Sequence, residues 1–134
     1  MSAIINHSYL DFFTIAVDAY NTDSKNIYRK LMMTIISTYK VLINDIEISS
    51  SALDNIDKLE FTEVELENFY EEIYDSIDIV KLYKSKLKVL NDKDILFTEL
   101  YDVVNELHLV IVEYLDRVST LEAKAIQQKY IKVA

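Results

Sequence analysis

Glycine and proline are both absent from this chain of 134 residues. At their usual frequencies of roughly 7% and 5%, about nine glycines and about seven prolines would be expected. Tight β-hairpins, glycine-rich phosphate loops and dinucleotide-binding folds depend on positive φ or on close backbone approach, which glycine provides. The sequence therefore predicts an all-α protein whose helices are joined by short polar loops.

The remaining composition narrows the class of protein. Apolar residues make up 51% of the chain and charged residues 28%, which is typical of a globular domain. Because cysteine is absent, a disulfide framework and a thiolate metal site are both excluded. The longest apolar run, Leu107–Val112, is interrupted by His108 and is too short to span a membrane. The first residues show no basic segment followed by an apolar one, so we expect no secretory signal and a cytoplasmic location.

The chain is strongly acidic, with 23 acidic and 14 basic residues and a formal net charge of -9. A field of this sign repels phosphate backbones and anionic lipids, so we expect neither nucleic-acid binding nor membrane binding. A protein with a basic surface is the natural electrostatic complement. The simpler interpretation is that the acidity only maintains solubility.

Apolar residues recur at steps of three and four along most of the chain, with polar breaks between the periodic segments. The pattern predicts a single domain with four helices, over about residues 8–20, 24–47, 63–90 and 93–120 or beyond. Helices of these lengths with short connections favour an antiparallel up-down bundle of three long helices and one shorter helix. Residues 52–61 fit either a helix or a loop, and residues 121–134 fit either a continuation of the last helix or a separate turn.

Local signals predict where these helices begin and end. Ser8 is placed to cap the first helix, and Thr62 with Glu65 forms a capping box at the start of the third. The three serines at 49–51 are the most loop-like stretch of the chain. Asn91 is the residue expected to adopt a left-handed cap after the third helix, because asparagine is the usual substitute for glycine there.

The apolar sector of the fourth helix is wider than a surface helix needs. It extends on one side through Phe97, Tyr101, Val112 and Leu115, and His108 lies in the same sector. Either this helix is the central element of the bundle, or part of it packs against another chain. These five residues are therefore candidates for self-association, with a homodimer as one possible outcome.

Motifs for catalysis, metals and nucleotides are missing. His7 and His108 are the two histidines, and neither is accompanied by a glycine-flanked serine or a phosphate-binding loop. Glu106 and His108 are two residues apart on a helix, so their side chains point to different faces and cannot share a metal ion. We therefore expect a non-enzymatic protein with no catalytic residue, cofactor or metal site.

An acidic segment opens the third helix. From Glu60 to Asp78 there are eight acidic residues and no basic residue, and four lysines follow between Lys81 and Lys88. This order suits the helix macrodipole, which by itself could explain it. Several acids also share one face, with two tyrosines between that face and the core stripe, which suits protein binding. The candidate partner-binding residues are Glu63, Glu67, Tyr70, Glu71, Tyr74 and Asp78.

These observations favour a protein that acts by binding another protein. We expect an acidic inhibitor of the immunity or counter-defence type, which occludes a basic surface of a nuclease or similar effector. The alternative is a structural or assembly subunit that forms homo-oligomers or docks into a larger complex through the fourth helix. No motif in the sequence is specific enough to indicate a family, the partner or the oligomeric state.

Overall fold

The computed structural model describes residues 7–55 and 62–133, with side chains over 10–55 and 62–127. Within these ranges the chain forms four helices and no strand, and a single 3-10 turn at Leu53–Asn55 follows the second helix. The helices are α1 (His7–Asn21), α2 (Lys25–Ala52), α3 (Glu63–Leu90) and α4 (Ile95–Val133). The prediction of an all-α bundle with three long helices and one short helix is confirmed.

Helix α4 has two packing partners within the chain. It packs extensively against both α2 and α3, whereas α1 packs mainly on α2 and only lightly on α3. Tyr28 near the start of α2 meets Asp94 just before α4, and Arg117 late in α4 meets Ser50 near the end of α2. Helices α2 and α4 therefore run in the same direction, with α1 and α3 opposite to them. Two neighbours within the chain account for much of the wide apolar sector of α4.

Buried side chains from all four helices form one core. At one end of this core the ring of Phe97 lies 5.2 Å from that of Tyr20 and 5.3 Å from that of Tyr28, and the ring of Phe13 stands edge-on to it. Phe97 is 0% exposed. Because aromatic rings of α1 and α2 enclose it, Phe97 is not available for contact with another chain, although the sequence placed it among the self-association candidates.

Helix α2 continues through the three serines at 49–51, so the prediction of a loop there is wrong. Ser50 is buried, and its carbonyl oxygen accepts a hydrogen bond of 2.9 Å from Nη1 of Arg117 on α4. Serine has only modest helix propensity. The last turn of α2 is therefore held by contacts with α4 and not by its own sequence.

In the connection between α1 and α2, an aspartate occupies the position where glycine is usual. Asp23 has φ of 61°, and its N–H donates to the carbonyl of Tyr20 while the N–H of Ser24 donates to that of Ala19. These two bonds are the Schellman pattern that closes many helices, with the left-handed position usually occupied by glycine. Aspartate tolerates this region better than most residues, so the turn forms in a chain without glycine.

Asn91 does not adopt the left-handed conformation predicted for it. Its φ of -54° and ψ of -38° are helical. The turn after α3 is closed instead by Lys93, whose N–H donates to the carbonyl of Leu90, and by Thr98, whose hydroxyl donates to the carbonyl of Asn91 at 2.8 Å. These bonds satisfy the end of α3 without a residue at positive φ.

The other helix ends were predicted only in part, because some of them depend on local interactions and others do not. The Thr62 side chain accepts a hydrogen bond of 3.2 Å from the N–H of Glu65, which confirms the N-terminal cap of α3. Ser8 lies within α1 instead of preceding it. Helix α4 continues past Ser119 and Thr120, and the Thr120 hydroxyl donates to the carbonyl four residues earlier, so it is satisfied inside the helix.

Candidate functional site

The acidic face of α3 is formed by Glu63, Glu67, Glu71 and Asp78. All four residues are exposed. The apolar stripe of α3 faces α4, and the four acidic residues lie on the side of the helix that faces solvent. Within the described residues the ion pairs involve Arg117, and none reaches these four carboxylates. Their negative charge is therefore not neutralised by contacts inside the described part of the chain.

Two tyrosines lie between the acidic face and α4. The Tyr70 hydroxyl donates a short hydrogen bond to the Glu122 carboxylate and lies 3.5 Å from the hydroxyl of Ser119. Burial, followed by the bond to Glu122, raises the pKa of Tyr70 above its ordinary value. The ring of Tyr74 stacks on that of Tyr70 with centroids 6.4 Å apart and remains 56% exposed. Tyr70 is thus anchored to α4, and it supports Tyr74, which offers most of the exposed aromatic surface.

The remaining self-association candidates lie on the edge of α4 that adjoins α3. Tyr101, His108 and Leu115 are half-buried, and Val112 is 36% exposed. From Tyr101 the steps along α4 are seven residues to His108, four to Val112 and three to Leu115, and steps of four and three continue through Ser119 and Glu122, the two residues that meet Tyr70. Tyr70 and Tyr74 of α3 therefore lie next to these residues of α4. We call the surface formed by Tyr70, Tyr74, Lys81 and Lys84 with Tyr101, His108, Val112 and Leu115 the α3–α4 surface.

A polar cluster occupies the end of this surface nearest Tyr101. The Lys84 ammonium donates a hydrogen bond of 2.8 Å to Oδ1 of Asn105 and lies 3.5 Å from Nδ1 of His108. Burial, followed by the charges of Lys84 and Lys81, lowers the pKa of His108 below its ordinary value. The imidazole is therefore neutral at neutral pH, with Nδ1 facing the ammonium as an acceptor.

One junction was not predicted from the sequence. Arg117 on α4 bonds to Ser50 O at 2.9 Å, to Asp54 at 3.0 Å and to Glu113 at 3.0 Å. Clefts of about 290 and 230 Å³ lie on its two sides, both lined in part by Glu113. The i,i+4 pair with Glu113 is visible in the sequence, but the contacts with α2 depend on the parallel packing of α2 and α4. With its charge matched by two carboxylates, Arg117 joins these helices.

No described group of three or more histidine, cysteine, aspartate and glutamate side chains is arranged to hold a metal ion. Among the described residues, none of the helices is long and apolar enough to cross a membrane. No family model matches the chain, and no curated protein or solved structure is significantly similar to it.

Proposed function

We propose that this protein is a non-enzymatic, cytoplasmic protein-binding protein, an acidic inhibitor of the immunity or counter-defence type that needs no cofactor. The acidic face of α3 would cover a basic surface of a nuclease or similar effector. One observation carries the proposal. Four exposed carboxylates without an ion pair to any described residue stand beside the exposed ring of Tyr74.

The mechanism follows from how these groups contribute to binding. Unpaired carboxylates on one face steer a basic partner and accelerate association, by about 10- to 1,000-fold at low salt in steered complexes. Tyr74 adds a large contact area at low entropic cost, because its ring is already stacked on Tyr70. Steric occlusion of the partner's basic surface then gives inhibition, and rapid association that slows as salt rises is its kinetic sign.

The test begins with recovery of the partner. The tagged protein captures binding proteins from a lysate of its own host, and association with each recovered protein is measured by stopped flow at several salt concentrations. We expect the triple variant Glu67→Lys, Glu71→Lys, Asp78→Lys to associate at least about tenfold more slowly at low salt, because both steering and contact are reversed.

A matched control separates the face from net charge. Asp18→Lys, Asp45→Lys, Glu47→Lys makes the same change in charge at exposed positions on α1 and α2. We expect this control to slow association much less than the α3 variant. A change below about twofold in the α3 variant, or equal slowing by both variants, would refute the assignment of the site.

A second function, that of a structural or assembly subunit, is favoured by one observation. Val112, Leu115 and Tyr101 expose apolar surface along the same edge of α4. A subunit that assembles through this edge would sediment as more than a monomer at micromolar concentration. A strict monomer would exclude self-assembly and leave docking into a larger complex.

A further inference from the structure

A regular seam of side chains runs along the edge of α3 that adjoins α4. Its members are spaced alternately four and three residues apart over the whole helix, so they share one face. In order along the helix they are Glu63, Glu67, Tyr70, Tyr74, Ile77, Lys81, Lys84 and Lys88. The contacts of Tyr70 with Glu122 and of Lys84 with Asn105 show that this seam lies against the exposed edge of α4. Its first part is acidic, its middle aromatic and apolar, and its last part basic.

The charges of this seam are arranged symmetrically about its centre. Glu63 and Lys88 are equally far from the point between Asp75 and Ser76, and so are Glu67 and Lys84. Tyr70 is paired in the same way with Lys81. Tyr74 is paired in position with Ile77, whose side chain is buried in the core. A two-fold rotation about this point places every acidic member of one seam opposite a basic member of another.

Helix α4 has the same centre. Because α3 and α4 are antiparallel, the hydrogen bonds of Tyr70 with Glu122 and of Lys84 with Asn105 place Leu115 level with the middle of the seam. His108 and Glu122 are equally far from Leu115, so the same rotation brings the imidazole of one copy opposite the carboxylate of the other. Val112, 36% exposed, lies beside this centre and supplies apolar contact there.

We propose that the α3–α4 surface, extended by the charged ends of the seam at Glu63, Glu67 and Lys88, binds a second copy of this chain, with the two α3 helices antiparallel across a two-fold axis. In such an isologous interface both copies contribute the same residues, so the surface must be complementary to itself. The symmetric charge pattern of the seam meets this requirement. Helix α3 has 28 residues and is therefore about 42 Å long. Two helices of this length, side by side, present a face about 20 Å wide and roughly 800 Å² in area, which is one side of a standard stable interface.

This dimer does not depend on the proposed inhibitor function, but it has a consequence for it. The dimer interface covers Glu63, Glu67 and Tyr74, which belong to the proposed partner-binding residues. Binding of a basic partner and self-association then exclude each other. The dimer would be a resting form that dissociates as the partner binds, by mass action.

A charge-swap experiment tests the geometry. Two double variants, E63K/E67K and K84E/K88E, each place like charges opposite each other in the homodimer. Sedimentation equilibrium over about 1 to 200 µM measures association of the wild type, of each variant and of their equimolar mixture. We expect a wild-type dimer, a dissociation constant at least about tenfold higher for each variant alone, and recovery in the mixture. The mixture recovers because each reversed glutamate meets a reversed lysine of the other variant.

Controls distinguish the seam from net charge and from misfolding. Asp45→Lys with Glu47→Lys, and Lys30→Glu with Lys40→Glu, make the same changes in charge on exposed positions of α2 and should leave the dimer intact. Far-ultraviolet circular dichroism and thermal unfolding confirm that each variant is folded, and the quadruple variant E63K/E67K/K84E/K88E should dimerise like the wild type. A monomeric wild type over this range, or a mixture that remains monomeric, overturns the proposal without affecting that of a basic partner.

Discussion

The hydrogen bond between Tyr28 and Asp94 joins the start of α2 to the start of α4, and its removal tests how this end of the bundle is held. Tyr28 is 3% exposed, and its hydroxyl donates to Oδ2 of Asp94 at 2.7 Å. Burial, followed by this hydrogen bond, raises the pKa of Tyr28 well above its ordinary value, so the hydroxyl stays protonated and donates. The same carboxylate oxygen accepts from the N–H of Leu96 at 3.3 Å and so supports the first turn of α4.

The perturbation is Tyr28→Phe, which removes the hydroxyl and leaves the ring in its aromatic cluster. A hydrogen bond to a charged group contributes about 1.5–3 kcal/mol, and because Asp94 is half-buried, water can replace part of what is lost. We therefore expect the free energy of unfolding to fall by about 1.5 kcal/mol. For a chain of this length the midpoint of thermal unfolding would fall by roughly 5 °C.

The assay is urea unfolding of a double-mutant cycle with Tyr28→Phe, Asp94→Ala and the double variant. We expect a coupling energy of about 1 kcal/mol or more, since Asp94→Ala alone already removes the acceptor. Tyr74→Phe is the matched control, because its exposed hydroxyl makes no hydrogen bond to a described residue, and it should change stability by less than about 0.5 kcal/mol. Additive effects in the cycle, or a loss for Tyr28→Phe no larger than for the control, would refute the reasoning.

Three further predictions concern two contacts of α4, that of Arg117 with the end of α2 and that of His108 with Lys84. Replacing Arg117 by methionine removes its bonds to three oxygen acceptors. We expect the free energy of unfolding to fall by about 1 kcal/mol, after allowance for solvent screening, and amide hydrogen exchange over 49–55 to become faster. Unchanged exchange there would show that packing alone holds the end of α2. In a proton NMR titration the pKa of His108 should lie below 6.5 and rise in Lys84→Met, and an equal value in both proteins would contradict the proposed effect of Lys84. The pKa of His108 is lower in the folded chain than in the unfolded chain, so below about pH 6.5 the unfolded chain binds more protons. The free energy of unfolding should therefore fall as the pH drops below about 6.5, and His108→Gln should reduce this fall.

The predicted elements differ from the observed ones where local preference was overruled. The Thr62 cap depends on residues within one turn, so its sequence was enough to predict it. The serines at 49–51 are helical because Ser50 is buried against α4 and bonded to Arg117, which lies far away in sequence. Asp23, not Asn91, adopts positive φ, because the turn before α2 needs it and the turn before α4 is closed by Thr98.

The candidate surface shows the same division. That Glu63, Glu67, Glu71 and Asp78 share a face follows from helical spacing alone, since it depends only on the period of one helix. That Tyr70 donates to Glu122 does not follow, because the two residues are 52 positions apart and meet only when α3 and α4 pack.

The sequence by itself determined that this protein is a bundle of helices and that an acidic segment opens the third of them, because period, capping and the absence of glycine and proline act over a few residues. Only the tertiary structure decided that α4 packs against both α2 and α3, that Phe97 is enclosed, and that Tyr70 and Tyr74 of α3 lie beside the exposed edge of α4. The physical reason is that helix packing is set by the sum of many weak contacts between distant residues. No single segment carries the information on which face of a helix meets which neighbour.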